Sequence, residues 1–94
     1  MTFIHTLQTI IEERQANPQP GSYTAKLFAM GNDEIMKKVG EEAIEVILAA
    51  KGQGPDRVIA EVADLVYHTL VLLTACGLTL AEVEAELERR HAGR

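Results

Sequence analysis

The stretch Pro55-Asp56-Arg57-Val58-Ile59-Ala60-Glu61-Val62-Ala63-Asp64-Leu65-Val66-Tyr67-His68-Thr69-Leu70-Val71-Leu72-Leu73-Thr74-Ala75-Cys76-Gly77 decides the fold. At about 100° per residue, Arg57, Glu61, Asp64 and His68 fall within an arc of about 60°. Nearly everything else from Val58 to Cys76 is apolar. A surface helix carries a wide polar face. A narrow acidic stripe on an apolar helix instead predicts burial on nearly all sides. Carboxylates in such a place are costly without cations. Pro55 fits a first helical turn, where its missing N–H is harmless, and Asp56 adds favourable charge there. The helix is expected to run to about Cys76, with Gly77 as its C′ residue.

On its N-terminal side, Gly52-Gln53-Gly54 is a short connection, which favours an antiparallel neighbour. That neighbour is a second main helix from Asn32 or Asp33, either a good N-cap, to about Lys51. Its acidic residues Glu41, Glu42 and Glu45 share an arc of about 100° with Glu34 and Lys38. By itself this is an ordinary amphipathic helix. A first helix is predicted from about Thr2 to Gln15, with Phe3, Leu7, Ile10 and Ile11 at helical spacing. Asn17-Pro18-Gln19-Pro20-Gly21-Ser22 ends it. Tyr23 to Met30 reads as one or two helical turns before Gly31. A last helix begins at Thr79-Leu80-Ala81-Glu82, a capping-box pattern, and reaches about Arg90. No period-2 alternation is long enough for a sheet. The expected fold is all-α, one domain over residues 1–94, with four helices and an extra short segment.

Spacing then pairs the carboxylates. Glu42 with Glu45, and Glu61 with Asp64, stand three apart, so each pair shares one helix face. On antiparallel neighbours the two patches can meet. Four facing carboxylates would raise one another's pKa values, and a divalent cation removes the conflict. All-oxygen ligands suit Mg²⁺ or Mn²⁺. Mg²⁺ keeps waters and binds phosphates at the same time. Spacing and burial favour a metal site over a structural salt-bridge network, which is the bland alternative. The same apolar helix needs more cover than 94 residues supply, so a homodimer is expected.

The formal net charge of −5 argues against nucleic-acid binding, which runs on Lys and Arg meeting phosphates. A single cysteine, Cys76, excludes an intrachain disulfide; its apolar neighbours suggest a buried structural thiol. Met1-Thr2-Phe3-Ile4-His5 carries no basic leader. The run around Leu70 to Leu73 is far short of the roughly 20 residues that span a bilayer. A cytoplasmic protein with no membrane partner is expected. His68 could orient a ligand or water, but reads better as a satisfied structural histidine. His5 and His91 read as surface residues. Glu88 and His91 form one ExxH pattern, too little for a di-iron bundle.

Glu41-Glu42-Ala43-Ile44-Glu45, followed after fifteen residues by Glu61-Val62-Ala63-Asp64, resembles the EExxE…ExxD signature of the all-α, MazG-like nucleoside-triphosphate pyrophosphohydrolases. Gly21-Ser22-Tyr23-Thr24-Ala25-Lys26-Leu27-Phe28 is similar to the SYTxxL element of the phosphoribosyl-ATP pyrophosphohydrolases of histidine biosynthesis. Lys37-Lys38-Val39-Gly40-Glu41 and Asp64-Leu65-Val66-Tyr67-His68 also resemble that family. The resemblance implies a MazG-like bundle completed by dimerisation. It implies hydrolysis of phosphoribosyl-ATP to phosphoribosyl-AMP and pyrophosphate, with Glu42, Glu45, Glu61 and Asp64 as Mg²⁺ ligands. Glu41 would lie in the outer shell or help position water. Lys38 and Lys26 would offset charge on the leaving pyrophosphate. Ser22, Tyr23 and Thr24 would contact substrate phosphate or ribose; from the residues alone they read as a turn and an N-cap. Some relatives are fused to a cyclohydrolase domain, for which this chain is too short. Two competing readings are a pyrophosphatase that cleanses nucleotide pools and a non-catalytic helical dimer.

Overall fold

A computed structural model of the chain describes residues 2–93. Five helices follow one another: α1 (Phe3–Ala16), α2 (Tyr23–Met30), α3 (Asn32–Gly52), α4 (Pro55–Ala75) and α5 (Leu80–Ala92). No strand occurs among the described residues, and the fold is all-α. The segment expected to make one or two turns is a helix of eight residues, α2. Ser22 starts it: its Oγ accepts from the Ala25 backbone N–H at 3.1 Å, which satisfies one of the orphan donors of a first turn.

The start of α3 differs from expectation. Neither Asn32 nor Asp33 caps it; both lie within its first turn, and Gly31 is the cap. Gly31 has φ +99, a conformation that side chains disfavour and glycine adopts freely. Because α2 runs up to this residue, the reversal between the two helices falls on the glycine. Asp33 and Glu34 then add charge favourable to the helix N-terminus. At the other end of α3, Gly54 with φ +91 turns the chain, and Pro55 opens α4. The two long helices pair as an antiparallel hairpin, the main tertiary contact of the molecule.

The core lies at one end of that hairpin. Ile11 of α1, Leu27 of α2, Ile35 of α3, and Leu70 and Val71 of α4 are fully buried together. Leu7, Phe28, Val66, Tyr67, Leu72 and Leu73 pack around them. The buried Thr74 hydroxyl bonds back to the Leu70 carbonyl at 2.9 Å. Gln8, unremarked in the sequence, is also buried. Its Oε1 accepts from the Leu80 N–H at 2.8 Å and its Nε2 donates to the Leu78 carbonyl at 3.4 Å. It thereby fastens α1 to the turn that opens α5. Thr79 caps α5, its Oγ1 accepting from the Glu82 N–H at 3.3 Å, as the capping pattern predicts.

Three expectations need correction. Within one chain α4 is not buried on nearly all sides. Ile59 is 68% exposed and Val62 40% exposed, because α1 and α2 cover only the end of α4 that holds Leu70 and Val71. Cys76 is exposed; it lies beyond the last turn of α4 as its C-cap, outside the packed stretch. Finally, α4 is 21 residues long and an 18-residue window of it reaches a mean hydropathy of 1.6, enough by length and composition alone to cross a membrane. The same helix buries His68, Leu70, Val71 and Thr74 against the rest of the fold.

Candidate metal centre

The α3–α4 hairpin opens a cleft of about 420 Å³ between the two helices. Lys38, Glu41, Glu42, Ile44 and Glu45 of α3 line it with Glu61 and Asp64 of α4. The i, i+3 spacings predict this meeting of patches. Carboxylate oxygens of Glu42, Glu61 and Asp64 lie within 4.8 Å of one another. Glu42 and Glu61 are buried, at 9% and 6% exposure, among mostly solvated charges, while Asp64 is exposed. Glu45 shares the cleft but stands outside this tight cluster.

Two cations face the cluster. Lys38 Nζ stands 3.5 Å from Glu42 and 3.8 Å from Glu41. Arg57 Nη2 donates to Glu61 Oε1 at 2.8 Å. Partial burial would lower the Lys38 pKa, but Tyr23, Glu42 and Glu41 together outweigh it and hold the ammonium above its ordinary value. Lys38 therefore stays charged through the neutral range and is no proton acceptor there.

The donor set fits a hard divalent cation. It is all oxygen, as Mg²⁺ and Mn²⁺ require. Carboxylate oxygens within 4.8 Å of one another would let Glu42, Glu61 and Asp64 share one such ion. Three carboxylates so close repel one another, and the two side-chain cations offset only part of that charge.

Behind the cleft, α2 is bolted to α4. His68 is buried, and its Nδ1 lies 2.8 Å from the Asp64 backbone oxygen. A carbonyl only accepts, so Nδ1 carries the proton. On its other side the Nε2 and the Tyr23 hydroxyl share a hydrogen bond of 3.0 Å. The hydroxyls of Thr24 and Tyr67 form a second, short hydrogen bond. Tyr23 and Tyr67 stack with centroids 6.2 Å apart, and His68 meets Tyr67 edge-on at 5.0 Å. Burial raises the Tyr67 pKa, against the pull of its bond to Thr24.

Of the substrate-binding candidates, Ser22, Tyr23 and Thr24 thus have their hydroxyls engaged within the fold. Neither they nor Lys26 line the cleft. Lys26 is exposed on α2. Sequence reasoning missed the pairing of Arg57 with Glu61, although their i, i+4 spacing signals it. It also missed the partnership of Tyr67 with Thr24, 43 residues away, for which no local signal exists.

Comparison with known proteins agrees with this picture. The profile of the family described as "Phosphoribosyl-ATP pyrophosphohydrolase" matches residues 4–91. A protein of Lacticaseibacillus casei named "Phosphoribosyl-ATP pyrophosphatase" is 53% identical over 87 residues, covering 93% of this chain and 79% of that protein. A protein of the same name from Pyrobaculum neutrophilum is 48% identical over 87 residues, 93% of each chain. The "Histidine biosynthesis bifunctional protein HisIE" of Caldanaerobacter subterraneus is 48% identical over 88 residues, 94% of this chain and 43% of that longer protein. The match spans both halves of the carboxylate cleft and the α2 segment bolted behind it, and the chain belongs to the phosphoribosyl-ATP pyrophosphohydrolase family.

Proposed function

We propose that this chain hydrolyses phosphoribosyl-ATP to phosphoribosyl-AMP and pyrophosphate in histidine biosynthesis, using Mg²⁺ or, in its place, Mn²⁺. The observation that carries the reading is the convergence of Glu42, Glu61 and Asp64 carboxylates to within 4.8 Å across two helices. Family membership supplies the substrate class. These three residues would hold the metal, with Glu45 beside them in the same cleft. When bound, the ion supplies a Lewis acid at phosphate oxygens and a water of lowered pKa.

The remaining work falls to the chain. Lys38, charged through the neutral range, offsets negative charge as the pyrophosphate departs. Glu41, paired with Lys38 at the cleft, helps position the water. Ser22 acts by capping α2, and Tyr23 and Thr24 by fixing α2 against α4, which leaves Lys26 on an exposed face to meet a substrate phosphate. The apolar residues Ile44, Ile47, Leu48, Ile59 and Val62 are exposed on the hairpin that carries the site. A large exposed apolar patch marks an interaction surface, and a second copy of the chain is the partner that this reading assigns to it. A cytoplasmic homodimer results.

Calorimetric titration with Mg²⁺ or Mn²⁺ tests the metal centre. The wild-type chain should bind either ion, and Glu61→Gln or Asp64→Asn should lose binding and pyrophosphate release with helicity intact. Unchanged metal affinity in both variants would leave only a helical scaffold held by salt bridges. Preference for dATP or dUTP over phosphoribosyl-ATP would sink the substrate assignment, and complementation of a histidine auxotroph would support it.

A further inference from the structure

Arg57 occupies a position that the proposed reaction does not use. It stands in the first turn of α4, with its side chain 55% exposed, and hydrogen-bonds a Glu61 side chain that is 8% exposed. A carboxylate so far from water needs a partner, and Arg57 is that partner. Lys38 plays the same part for Glu42 across the cleft. Together the two side chains bring two positive charges to the three-carboxylate cluster. A divalent cation brings the same charge.

We propose that Arg57 is an exchangeable counter-cation: it holds Glu61 until a divalent metal takes that carboxylate, then swings out to bind the pyrophosphate end of the substrate. This rests on the metal-dependent reading above. A guanidinium cannot lose its proton to make way for a dication, so relief of the repulsion requires movement. The side chain is built for movement, being long, half in solvent and held by one hydrogen bond among the described residues. Its other N–H donors are available to an incoming anion. A planar guanidinium matches phosphate oxygens in pairs, and substrate arrives with the metal-bound phosphates at this cleft. The exchange makes Arg57 a competitor of the metal and an ally of the pyrophosphate.

These two roles have opposite signs, which separates them from support of the fold. Mn²⁺ alone is titrated calorimetrically into the wild type, Arg57→Gln, Arg57→Lys and Arg89→Gln; inorganic pyrophosphate is then titrated into each Mn²⁺-loaded protein. Arg89 lies on α5 and controls for the change in overall charge. Arg57→Gln should bind Mn²⁺ about three- to fivefold more tightly, the worth of one ion pair. It should bind pyrophosphate about tenfold more weakly, the worth of a charge-assisted hydrogen bond. KM for phosphoribosyl-ATP should rise in parallel, Arg57→Lys should fall between, and Arg89→Gln should match the wild type. Weaker or unchanged Mn²⁺ binding in Arg57→Gln overturns the exchange, since an arginine that merely orients Glu61 helps the metal. Equal tightening in Arg89→Gln overturns it as well, by assigning the effect to net charge. Failure of the wild type itself to bind Mn²⁺ removes the metal-dependent function, and the exchange falls with it.

Discussion

The two ends of α4 are both largely apolar and have opposite surroundings. From Val66 to Thr74 the helix is sheathed by α1, α2 and α3, and Leu70 and Val71 are sealed in the core. From Val58 to Asp64 it meets only α3 closely: Ile59 and Val62 face solvent, and the buried side chain of that end is a glutamate, Glu61. Apolar sequence therefore states that a helix needs cover, not who supplies it. One end finds it within the chain. The other end leaves apolar surface beside the carboxylate cleft, where cover by a second copy would also stiffen the site.

Substitutions at the two ends should separate stability from chemistry. The largest effect is expected at the core end. Leu70→Ala removes a sealed side chain and should cost about 2–5 kcal/mol of stability. That is a large share of the roughly 5–15 kcal/mol that small domains possess. Thermal unfolding followed by circular dichroism measures it, and a loss below 1 kcal/mol would mean that the core end is no better packed than the site end. At the site end Asp64→Asn should do the reverse. Activity, followed as pyrophosphate release, should fall by at least about 100-fold, since even residues behind the ligands of a metal site command 10- to 100-fold. The melting temperature should hold or rise, because the variant removes one of three mutually repelling carboxylates.

Much of the fold and of the cleft was legible in the sequence, the open end of α4 was not, and the failures have physical causes. Helix positions followed from periodicity and from Pro55, Gly52 and Gly77, because these act within a few residues of themselves. The patches Glu42 with Glu45 and Glu61 with Asp64 could be set facing each other because i, i+3 spacing and a short hairpin fix both faces, although Glu45 stands outside the tight cluster. Gly31 was missed as the cap of α3, since whether α2 is a full helix depends on its docking against α4. Cys76 was misread because the packed helix ends at Ala75, one residue before the apolar run in the sequence does. The engagement of Tyr23 and Thr24 with His68 and Tyr67 spans 45 and 43 residues, and no local pattern encodes it.

That long-range bolt ties α2 to the middle of α4 and yields a smaller, intermediate effect. Tyr67→Phe leaves the ring stacked and removes only the hydroxyl that Thr24 meets. It should lower stability by about 0.5–1.5 kcal/mol. The double-mutant cycle with Thr24→Val should show coupling of the same order, whereas additive losses would mean that the two hydroxyls do not hold α2 in solution.

The smallest effect on the single chain, and the sharpest for the comparison, is expected at Ile59. A surface change of this kind lies within about 0.5 kcal/mol for an isolated domain. Ile59→Ser should therefore be nearly silent in unfolding experiments at concentrations where the protein is monomeric. It should speak at higher concentration, as a weakened dimer in analytical ultracentrifugation and a concentration-dependent fall in melting temperature relative to the wild type, since association stabilises the folded chain by mass action. A monomeric wild type at all concentrations would break the link between exposed apolar surface and a second copy. A large loss in the monomer would show that the site end is packed within its own chain after all.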